Sequence, residues 1–465
     1  MLAPPWMPDL EGLTGPKYRQ LVTAIERAID DGGLAAGQKL PPVRDLAWDL
    51  KVTPGTVARA YREATEAGLL EAHVGQGTFV RAERERGTTI PLHSLANPTE
   101  EGQIDLRNSR SPLVGQEDAL NAALQKVIGE GSHILDDYTR AQNDLRARRA
   151  MQSWLASGGV EGHVDDIVLT YGSQNAILAG LLAVTRGSRP QIIVSELMYP
   201  GFQQAARVAG VELLTVGSDE YGILPGEIDA LCLGQRPHAI LLAANIHNPT
   251  LVTMSLDRRC EIAALARHHN LQIIEDDVYG WLEAERLPSF PELAPERTWY
   301  ATSLSKCIAA GLRFGLLLTP PGEGARGQGF IQAMTYRVSS LISSAAAELI
   351  ETGEAGRIRE KAMSHMRCRN DRVRERLGHW GVVSRGAANF FWQPLPPCWN
   401  ITSFDRACIA RGIRLSTGAA YVMPGRPAPN AVRIALGMGL NDAQFDEALM
   451  QLDQILASPP TELIA

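Results

Sequence analysis

From Ile104 to the C-terminus, short apolar runs alternate with longer amphipathic stretches, and this alternation limits the folds that the chain can adopt. The runs are β-branched or aliphatic and are bounded by turn residues; they read DIVLT, QIIVSE, AILLAAN, LQIIED and RFGLLLT. The stretches between them, such as LDRRCEIAALARHH, have helical spacing. Strands that alternate with helices predict an α/β domain with a mostly parallel sheet. Because the runs are apolar throughout, both faces of that sheet are expected to be buried.

Residues 13–80 have a different pattern, in which three helical segments precede a short alternating stretch. The helical segments are KYRQLVTAIERAIDDGGL, LPPVRDLAWDL and KVTPGTVARAYREATEAGLL. In the third, Thr53 is suited to cap the helix, and Pro54 is suited to the first helical position, where its missing N–H costs nothing. GLLEAHVGQGTFV then alternates and turns at its glycines. Three helices followed by a hairpin predict a winged helix-turn-helix.

The stretch GQKLPPVRDLAWDLKVTPGTVARAYREATEAGLLEAHVGQGTFV resembles the DNA-binding domain of GntR-type regulators along its whole length. The resemblance implies that the third helix enters the major groove of double-stranded DNA and that the wing contacts the backbone or minor groove. By position, it implies these DNA-binding residues: Arg44, Thr53, Thr56, Arg59, His73, Gly75 and Gln76. Many members have arginine where this chain has Pro54, so base readout by an arginine there is lost. A scaffold for protein contacts is the alternative, and Arg59 is also compatible with a solvated helix charge.

Net charge provides no general attraction to nucleic acid. The 465 residues carry a formal charge of −7, and the first 80 hold eight Lys and Arg against ten Asp and Glu. Any DNA binding must therefore come from a local cluster. Residues 81–103 mix charged residues, Pro, Thr and Gly without periodicity, which predicts a linker. Residues 104–460 are then the second domain, with a small C-terminal subdomain from about residue 360.

The sequence also predicts the cellular compartment of the protein. No run approaches the roughly 20 apolar residues that a membrane span needs, and the N-terminus lacks the pattern of a signal peptide. The six cysteines are scattered without a C-x-x-C pair, which favours free thiols in a reducing compartment and gives no spacing for a zinc site. We therefore expect a cytoplasmic protein that needs neither a membrane nor a metal.

Lys306 follows YATSLS, which predicts a strand that ends in small hydroxyl residues. Taken alone, Lys306 is compatible with a lysine that extends to solvent or pairs with a carboxylate. However, LTYGSQNAILAGLL predicts a strand, a Gly-Ser turn and a helix whose N-terminus is suited to a phosphate, although an ordinary capped loop has the same pattern. Arg313 lies seven residues after Lys306 and is able to bind the same phosphate through its planar guanidinium.

Two further patterns follow buried strands. Asn248-Pro249 indicates a turn, or an amide placed to donate to an oxygen anion. LQIIEDDVYGWL ends a strand in three carboxylates at the position where α/β sheets bind ligands. These acids are also compatible with Mg²⁺, although no G-x-x-x-x-G-K-[ST] loop accompanies them. Taken together, the patterns favour pyridoxal 5′-phosphate chemistry, in which a lysine forms a Schiff base and an aspartate keeps the pyridine nitrogen protonated.

The ordered set Gly-Ser-Gln, Asn-Pro, Asp-x-x-Tyr, Ser-x-Ser-Lys and Arg resembles the class I aminotransferases of fold type I over about residues 104–455. The resemblance implies that Lys306 is the catalytic lysine and that the cofactor is held by Gly172, Ser173, Gln174, Tyr199, Asn248, Asp276, Tyr279, Ser303, Lys306 and Arg313. It assigns the α-carboxylate of a ligand to Arg433, and it places Tyr138 near the neighbouring subunit's phosphate. Asp277 competes for the ring nitrogen, but Asp276 has the family spacing to Tyr279.

Two positions depart from the pattern of this family. Leu251 replaces the glycine that usually follows Asn-Pro-Thr, and Ala141 or Gln142 replaces the glycine of YxxxG. Both departures leave the cofactor-binding set intact and affect loop shape and ligand preference.

A GntR-type domain joined to an aminotransferase-like domain resembles the MocR subfamily of bacterial transcription regulators. That resemblance implies a homodimer. Because one chain carries both modules, our hypothesis is that the dimer binds an operator and senses an amino acid or amine through an external aldimine on the cofactor. Two alternatives remain open. The chain is a working aminotransferase with a tethered DNA-binding domain, or it senses pyridoxal 5′-phosphate itself as a measure of vitamin B6.

Overall fold

The computed structural model describes residues 6–8, 10, 16–30, 33–34, 37–66, 69–73, 77–80, 103–131, 141–187, 190–436 and 439–458. The chain divides into two compact units, residues 1–92 and residues 93–465. The predicted linker, residues 81–103, lies outside the described residues except for Gln103.

The first unit consists of α1 (Lys17–Asp30), α2 (Val43–Asp49), α3 (Pro54–Glu66) and the antiparallel strands β1 (Leu70–His73) and β2 (Gly77–Val80). The predicted three helices and hairpin are therefore confirmed. Thr53 caps α3, because the backbone N–H of Thr56 donates to Thr53 Oγ1 at 3.3 Å. The three helices and the hairpin share one apolar core, which includes Leu21, Ile25, Leu46, Val57, Tyr61, Leu70 and Val80.

The first described element of the second unit is β3 (Ile104–Asp105), and the unit contains a large sheet, several small ones and helices on both sides. Its helices are α4 (Gln116–Gly129), α5 (Ala141–Ser157), α6 (Ser173–Val184), α7 (Pro200–Ala209), α8 (Pro225–Gly234), α9 (Leu256–His268), α10 (Phe290–Leu293), α11 (Gly324–Thr335), α12 (Ser340–Glu351), α13 (Glu354–Leu377), α14 (Ile401–Ala410) and α15 (Asp442–Ala457). Among the residues given above, none of the helices is long and apolar enough to cross a membrane.

The large sheet is formed by β4 (Ile167–Thr170), β5 (Gln191–Ser195), β6 (Glu212–Val216), β9 (Ala239–Leu242), β10 (Gln272–Asp276), β11 (Thr298–Ser303) and β12 (Gly315–Leu318). The hairpin strands β7 (Ser218–Asp219) and β8 (Gly222–Ile223) lie outside it. The order is β4-β12-β11-β10-β9-β5-β6, and only β12 runs against the others. The central strands are buried along nearly their whole length. The predicted α/β class, with a mostly parallel sheet, is confirmed.

One edge of this sheet collects the segments that carry the candidate site. The carboxyl ends of β4, β5, β9, β10 and β11 meet there, and the reversed strand β12 begins at the same edge with Gly315. Ligands of α/β sheets bind at the carboxyl ends of the strands. The sheet topology therefore brings together residues from parts of the chain that are far apart in sequence.

A smaller sheet lies in the C-terminal part and contains β13 (Phe390–Pro394), β15 (Ser416–Thr417) and β16 (Ala431–Ala435) in the order β13-β16-β15. The start of the second unit joins this region, because β3 pairs in parallel with β14 (Ile413–Arg414). Leu106 extends the connection: its N–H donates to Arg414 O, and its carbonyl accepts from Ala435 N–H, both at 2.7 Å.

Gly315 allows three chain segments to approach each other at the edge that carries the site. A Cβ at this position would lie 2.5 Å from Thr302 O, 2.9 Å from Ser303 Cβ and 3.0 Å from Gly172 Cα. Two of these neighbours are backbone atoms, which cannot rotate away as the end of a flexible side chain can.

We therefore expect Gly315→Ala to destabilise the second unit by about 1–3 kcal/mol, the usual cost of overpacking a filled interior. Gly311→Ala is the matched control, since a Cβ there would meet no atom within 4 Å. Thermal unfolding of the purified variants checks this. Equal midpoints for the two variants would show that the approach at Gly315 is not tight.

Candidate functional site

Lys306 follows β11 and is half-buried at the edge of the sheet. Its Nζ donates to Ser109 O at 2.7 Å and lies 3.4 Å from Ser109 Oγ. It also lies 5.5 Å from the centroid of the Tyr279 ring. The Tyr279 hydroxyl is 2.8 Å from Ser109 Oγ. Lysine and phenol therefore meet at one buried serine, a residue that the sequence analysis did not identify.

Asp276 ends β10 and Asp277 follows it directly, so that successive side chains in extended backbone leave it on opposite sides. The side chain of Asp277 is fully engaged in the fold. It accepts hydrogen bonds from Asn245 Nδ2 at 2.8 Å, from Arg286 Nη2 at 2.5 Å and from the Tyr300 hydroxyl at 2.6 Å. Three of the roughly four acceptor positions of this buried carboxylate are therefore occupied by the fold, one of them by a cation.

The Asp276 side chain is buried, and its Oδ1 makes no hydrogen bond within the described part of the chain. Burial, together with the negative charge of Asp277, raises the pKa of Asp276 to about 7. The positive charge of Lys306 and a hydrogen bond from Val278 N–H oppose this shift in pKa. Asp276 is thus the carboxyl group at this edge that remains available to a positively charged partner.

The turn before α6 and Arg313 form a corner whose groups are suited to bind an anion. Gly172 has φ +80° and precedes Ser173, the first residue of the helix. Arg313 has φ +48° and donates from Nη2 to Tyr171 O at 3.2 Å. A Cβ at Gly172 would lie 3.1 Å from that guanidinium nitrogen. A helix N-terminus and an exposed arginine at this distance are suited to a phosphate group.

Ser303 and Ser305 lie beside this corner at the end of β11. Ser303 Oγ accepts from Ser305 N–H at 3.4 Å, and both side chains are buried. Across the edge, Gln174 Nε2 donates to Gly201 O at 2.8 Å. A side chain on Gly201 would overlap both Gln174 Oε1 and the Tyr199 ring. Glycine at this position therefore lets the Tyr199 ring lie next to the start of α6.

The Tyr199 hydroxyl has a pKa raised by burial and by the negative charge of Asp276. This indicates that the tyrosine and the free aspartate share one region of the site. The ring also packs edge-on against Phe202, with centroids 5.7 Å apart.

Arg433 projects from β16 toward the loop that contains Asn248. Its Nη1 donates to Asn248 Oδ1 at 3.4 Å, and its Nη2 donates to Arg107 O. The guanidinium carbon lies 5.2 Å from the Phe390 ring and 5.8 Å from the Tyr421 ring. A buried guanidinium without a carboxylate partner in the described residues is suited to the carboxylate of a ligand.

The residues at this edge fit pyridoxal 5′-phosphate. Several buried polar atoms of the region make no hydrogen bond among the residues described, and they include Gln174 Oε1, Asp276 Oδ1, Ser305 Oγ and Arg433 Nε. Leaving such an atom unpaired costs about 1–3 kcal/mol, so a cluster of them indicates a ligand-binding surface. An amine, a free carboxyl, an aromatic ring and an anion-binding corner match the aldehyde, nitrogen, ring and phosphate of that cofactor. Within the ranges described, no group of three or more His, Cys, Asp and Glu residues could hold a metal ion.

Several predicted positions fall outside the described residues. Tyr138, Gly75 and Gln76 are not described, and His73 is described only as backbone at the end of β1. Leu251 has φ +60°, in the left-handed region that favours the glycine expected there.

The exposed residues that are predicted to bind DNA differ in whether their side chains already have partners within the protein. Arg44 on α2 is exposed and has no ion pair or hydrogen bond with any described residue. Arg59 on α3 pairs with Glu63 at 3.1 Å and lies 3.8 Å from the Tyr18 ring centroid. Thr53 and Thr56 are 2.9 Å apart through their hydroxyl oxygens. Arg44 is therefore free to meet a phosphate, whereas Arg59 would first have to leave two partners.

Comparison with known families gives two matches along the chain. The family of class I and II aminotransferases matches residues 102–452, and the gntR family of bacterial regulatory proteins matches residues 17–80.

Curated relatives match almost end to end. The chain is 27% identical to YdeF, an uncharacterised HTH-type transcriptional regulator of Bacillus subtilis, over 97% of this chain and 96% of that protein. It is 24% identical to the HTH-type transcriptional regulator TauR of Rhodobacter capsulatus, over 97% and 98% of the two chains. It is 26% identical to the vitamin B6 salvage pathway transcriptional repressor PtsJ of Salmonella typhimurium, over 96% and 99%.

Solved structures match the second unit. An archaeal alanine:glyoxylate aminotransferase aligns with a TM-score of 0.70 at 19% identity, over 76% of this chain and 91% of that one. The α-aminoadipate aminotransferase LysN of Thermus thermophilus, complexed with N-(5′-phosphopyridoxyl)-L-leucine, aligns with a TM-score of 0.68 at 21% identity, over 77% and 92%. This chain belongs to the class I and II aminotransferase family and carries a gntR-family domain at its N-terminus, the architecture of the MocR subfamily of transcription regulators.

Proposed function

We propose that this protein is a homodimeric transcription regulator that binds double-stranded DNA and holds pyridoxal 5′-phosphate at Lys306. Its effector is an amino acid or another primary amine. One observation carries the proposal: the chain that has a gntR-family domain also gathers Lys306, Asp276 and Arg313 at one edge of its large sheet, where Arg433 of the small sheet contacts Asn248 in the loop after β9. A protein that used its second unit only as a scaffold would not need a free buried carboxyl next to a lysine.

Each residue has a separate task in this proposal. When bound, the cofactor supplies an aldehyde that exchanges one primary amine for another. Lys306 provides the resident amine, and Asp276 holds the proton on the ring nitrogen. Arg313 and the N-terminus of α6 bind the phosphate, and Tyr199 covers the ring. Arg433 binds the carboxylate of an incoming amino acid.

The effector acts on DNA only if it binds one conformation of the dimer more tightly than another. Displacement of Lys306 and occupation of Arg433 supply such a difference, because both side chains change partners. Two DNA-binding domains in one dimer read two half-sites whose spacing they must match. A change in the relative position of the domains therefore changes the affinity for the operator.

Two other functions have some support. The solved structures that match the second unit are aminotransferases, which favours turnover of an amino acid to a keto acid. The similarity to PtsJ, a vitamin B6 salvage pathway transcriptional repressor, favours a regulator that responds to vitamin B6. Repeated turnover with no effect of amino acids on DNA affinity would support the first. A DNA affinity that depends on the cofactor alone would support the second.

The Lys306→Ala variant tests amine exchange directly. We expect wild-type protein, on a duplex selected by it from a random library, to change affinity by at least about fivefold with one of the common amino acids tested in turn. Lys306→Ala should fold and bind the duplex but show no such change. Lys361→Ala is the control, since Lys361 is exposed on α13. An undiminished response in Lys306→Ala would refute the proposed exchange.

Asp276→Asn and Asp277→Asn are a matched pair of variants that should fail in different ways. Asp276→Asn should keep the fold and lose roughly 10- to 100-fold in affinity for pyridoxal 5′-phosphate, the worth of a hydrogen bond to a charged group. Asp277→Asn leaves the buried guanidinium of Arg286 without its carboxylate, so it should lose about 3–5 kcal/mol of stability. Cofactor titration and chemical unfolding measure the two effects. If Asp277→Asn lost affinity for the cofactor and Asp276→Asn lost stability instead, Asp277 would be the residue that serves the cofactor.

Wild-type protein and Asp276→Asn should also differ in how their stability depends on pH when no cofactor is bound. Because the folded-state pKa of Asp276 is raised from 3.8 to about 7, wild-type protein loses stability as the pH rises through that window. Asp276→Asn has no proton to lose, so its stability should fall less over the same window. Parallel curves for the two proteins would contradict the burial of an unpaired carboxyl at this position.

A further inference from the structure

The first described segment of the second unit contacts both Lys306 and Arg433. We call this segment, residues 103–112, the strap. The strap is the first described segment after the predicted linker, so the chain leads from it directly toward the DNA-binding domain. Its β3 pairs with β14, and Leu106 bridges Arg414 and Ala435 by backbone hydrogen bonds at 2.7 Å. These pairings fix the strap next to the sheet that carries Arg433.

The strap contacts the candidate site at two points. Arg107 O accepts a hydrogen bond from the Arg433 guanidinium. Two residues further on, Ser109 O accepts from Lys306 Nζ at 2.7 Å. Ser109 is 5% exposed, and its hydroxyl oxygen lies 2.8 Å from the Tyr279 hydroxyl. The strap thus connects the arginine on the small sheet with the lysine and the tyrosine on the large sheet.

A ligand that carries both an amine and a carboxylate would change both contacts. A carboxylate that binds Arg433 in a bidentate way, through the unpartnered Nε and through Nη2, uses the nitrogen that now donates to Arg107 O and is the stronger acceptor. Lys306, once displaced from the cofactor, is an ammonium with three N–H donors, and Ser109 O already lies within hydrogen-bond distance of it. The strap would therefore lose its contact at Arg107 and keep or gain its contact at Ser109.

We infer that the strap transmits effector binding to the linker, and that Ser109 is a positioning residue that holds the strap to Tyr279 and to the displaced Lys306. This inference rests on the proposed function, because it requires that an amine displace Lys306. It adds to that function the segment that carries the signal. The signal starts at Arg433, which binds the carboxylate, and follows the chain to the DNA-binding domain.

Two probe molecules separate the contacts of the strap in wild-type protein loaded with pyridoxal 5′-phosphate. Aminooxyacetate carries an amine that reacts with aldehydes and a carboxylate, whereas O-methylhydroxylamine carries the amine alone. Both should displace Lys306, which absorbance spectra report. In hydrogen exchange, only aminooxyacetate should speed exchange in peptides that cover residues 103–112, by about fivefold, the effect of one lost hydrogen bond. A peptide from α9 serves as the internal control.

The role of Ser109 is tested by a double-mutant cycle with Tyr279. Ser109→Ala and Tyr279→Phe should each speed strap exchange about fivefold before any probe is added, and the double variant should exchange no faster than either single one. Ser109→Thr keeps a hydroxyl and should restore the wild-type rate. Additive effects in the double variant would mean that the two hydroxyls act independently, which would overturn the role of Ser109.

The readouts distinguish failure of this inference from failure of the proposed function. If wild-type protein shows no change in absorbance with either probe, then no amine exchange occurs and the proposed function fails. If both probes change the absorbance but leave strap exchange equally unaffected, the proposed function stands and the strap is not the transmitting element.

Discussion

The buried ion pair between Asp277 and Arg286 holds the carboxyl end of β10, the strand that carries Asp276 to the candidate site. Three donors hold the Asp277 carboxylate on one face. Its neighbour Asp276 leaves the strand on the other face with an oxygen that has no partner in the described residues. The negative charge of Asp277 contributes to the raised pKa of Asp276. The Asp277 carboxylate therefore holds this end of the strand in place, while the Asp276 carboxyl group remains available to a ligand.

Other positions along the sheet edge also divide into residues that shape the fold and residues that line the candidate site. Gly315 and Gly201 allow close approach of segments that carry Gly172, Ser303, Gln174 and Tyr199. The reversed strand β12 lets the chain return to the edge at Arg313 shortly after Lys306. The chain turns between two adjacent antiparallel strands, so Lys306 and Arg313 lie at the same edge of the sheet, where the proposed function assigns them to opposite ends of one ligand.

Local patterns in the sequence predicted the parts of this fold that depend on local physics. The apolar runs became the central strands, and the cap at Thr53 was visible because Pro54 and a helical stripe follow it. Contacts across long stretches of chain were not visible. Ser109 lies 197 residues from Lys306, and Arg107 lies 326 residues from Arg433. No periodicity links such pairs, since only the folded sheet and the β3–β14 pairing bring them together.

The central claim is that Lys306 holds pyridoxal 5′-phosphate by its amine. Reduction of the purified holoprotein with borohydride, followed by peptide mass spectrometry, tests it most directly. The account predicts a phosphopyridoxyl group on the peptide that contains Lys306 and on no other lysine peptide. A folded protein that carries this group on another lysine, or on none after saturation with the cofactor, would contradict the account.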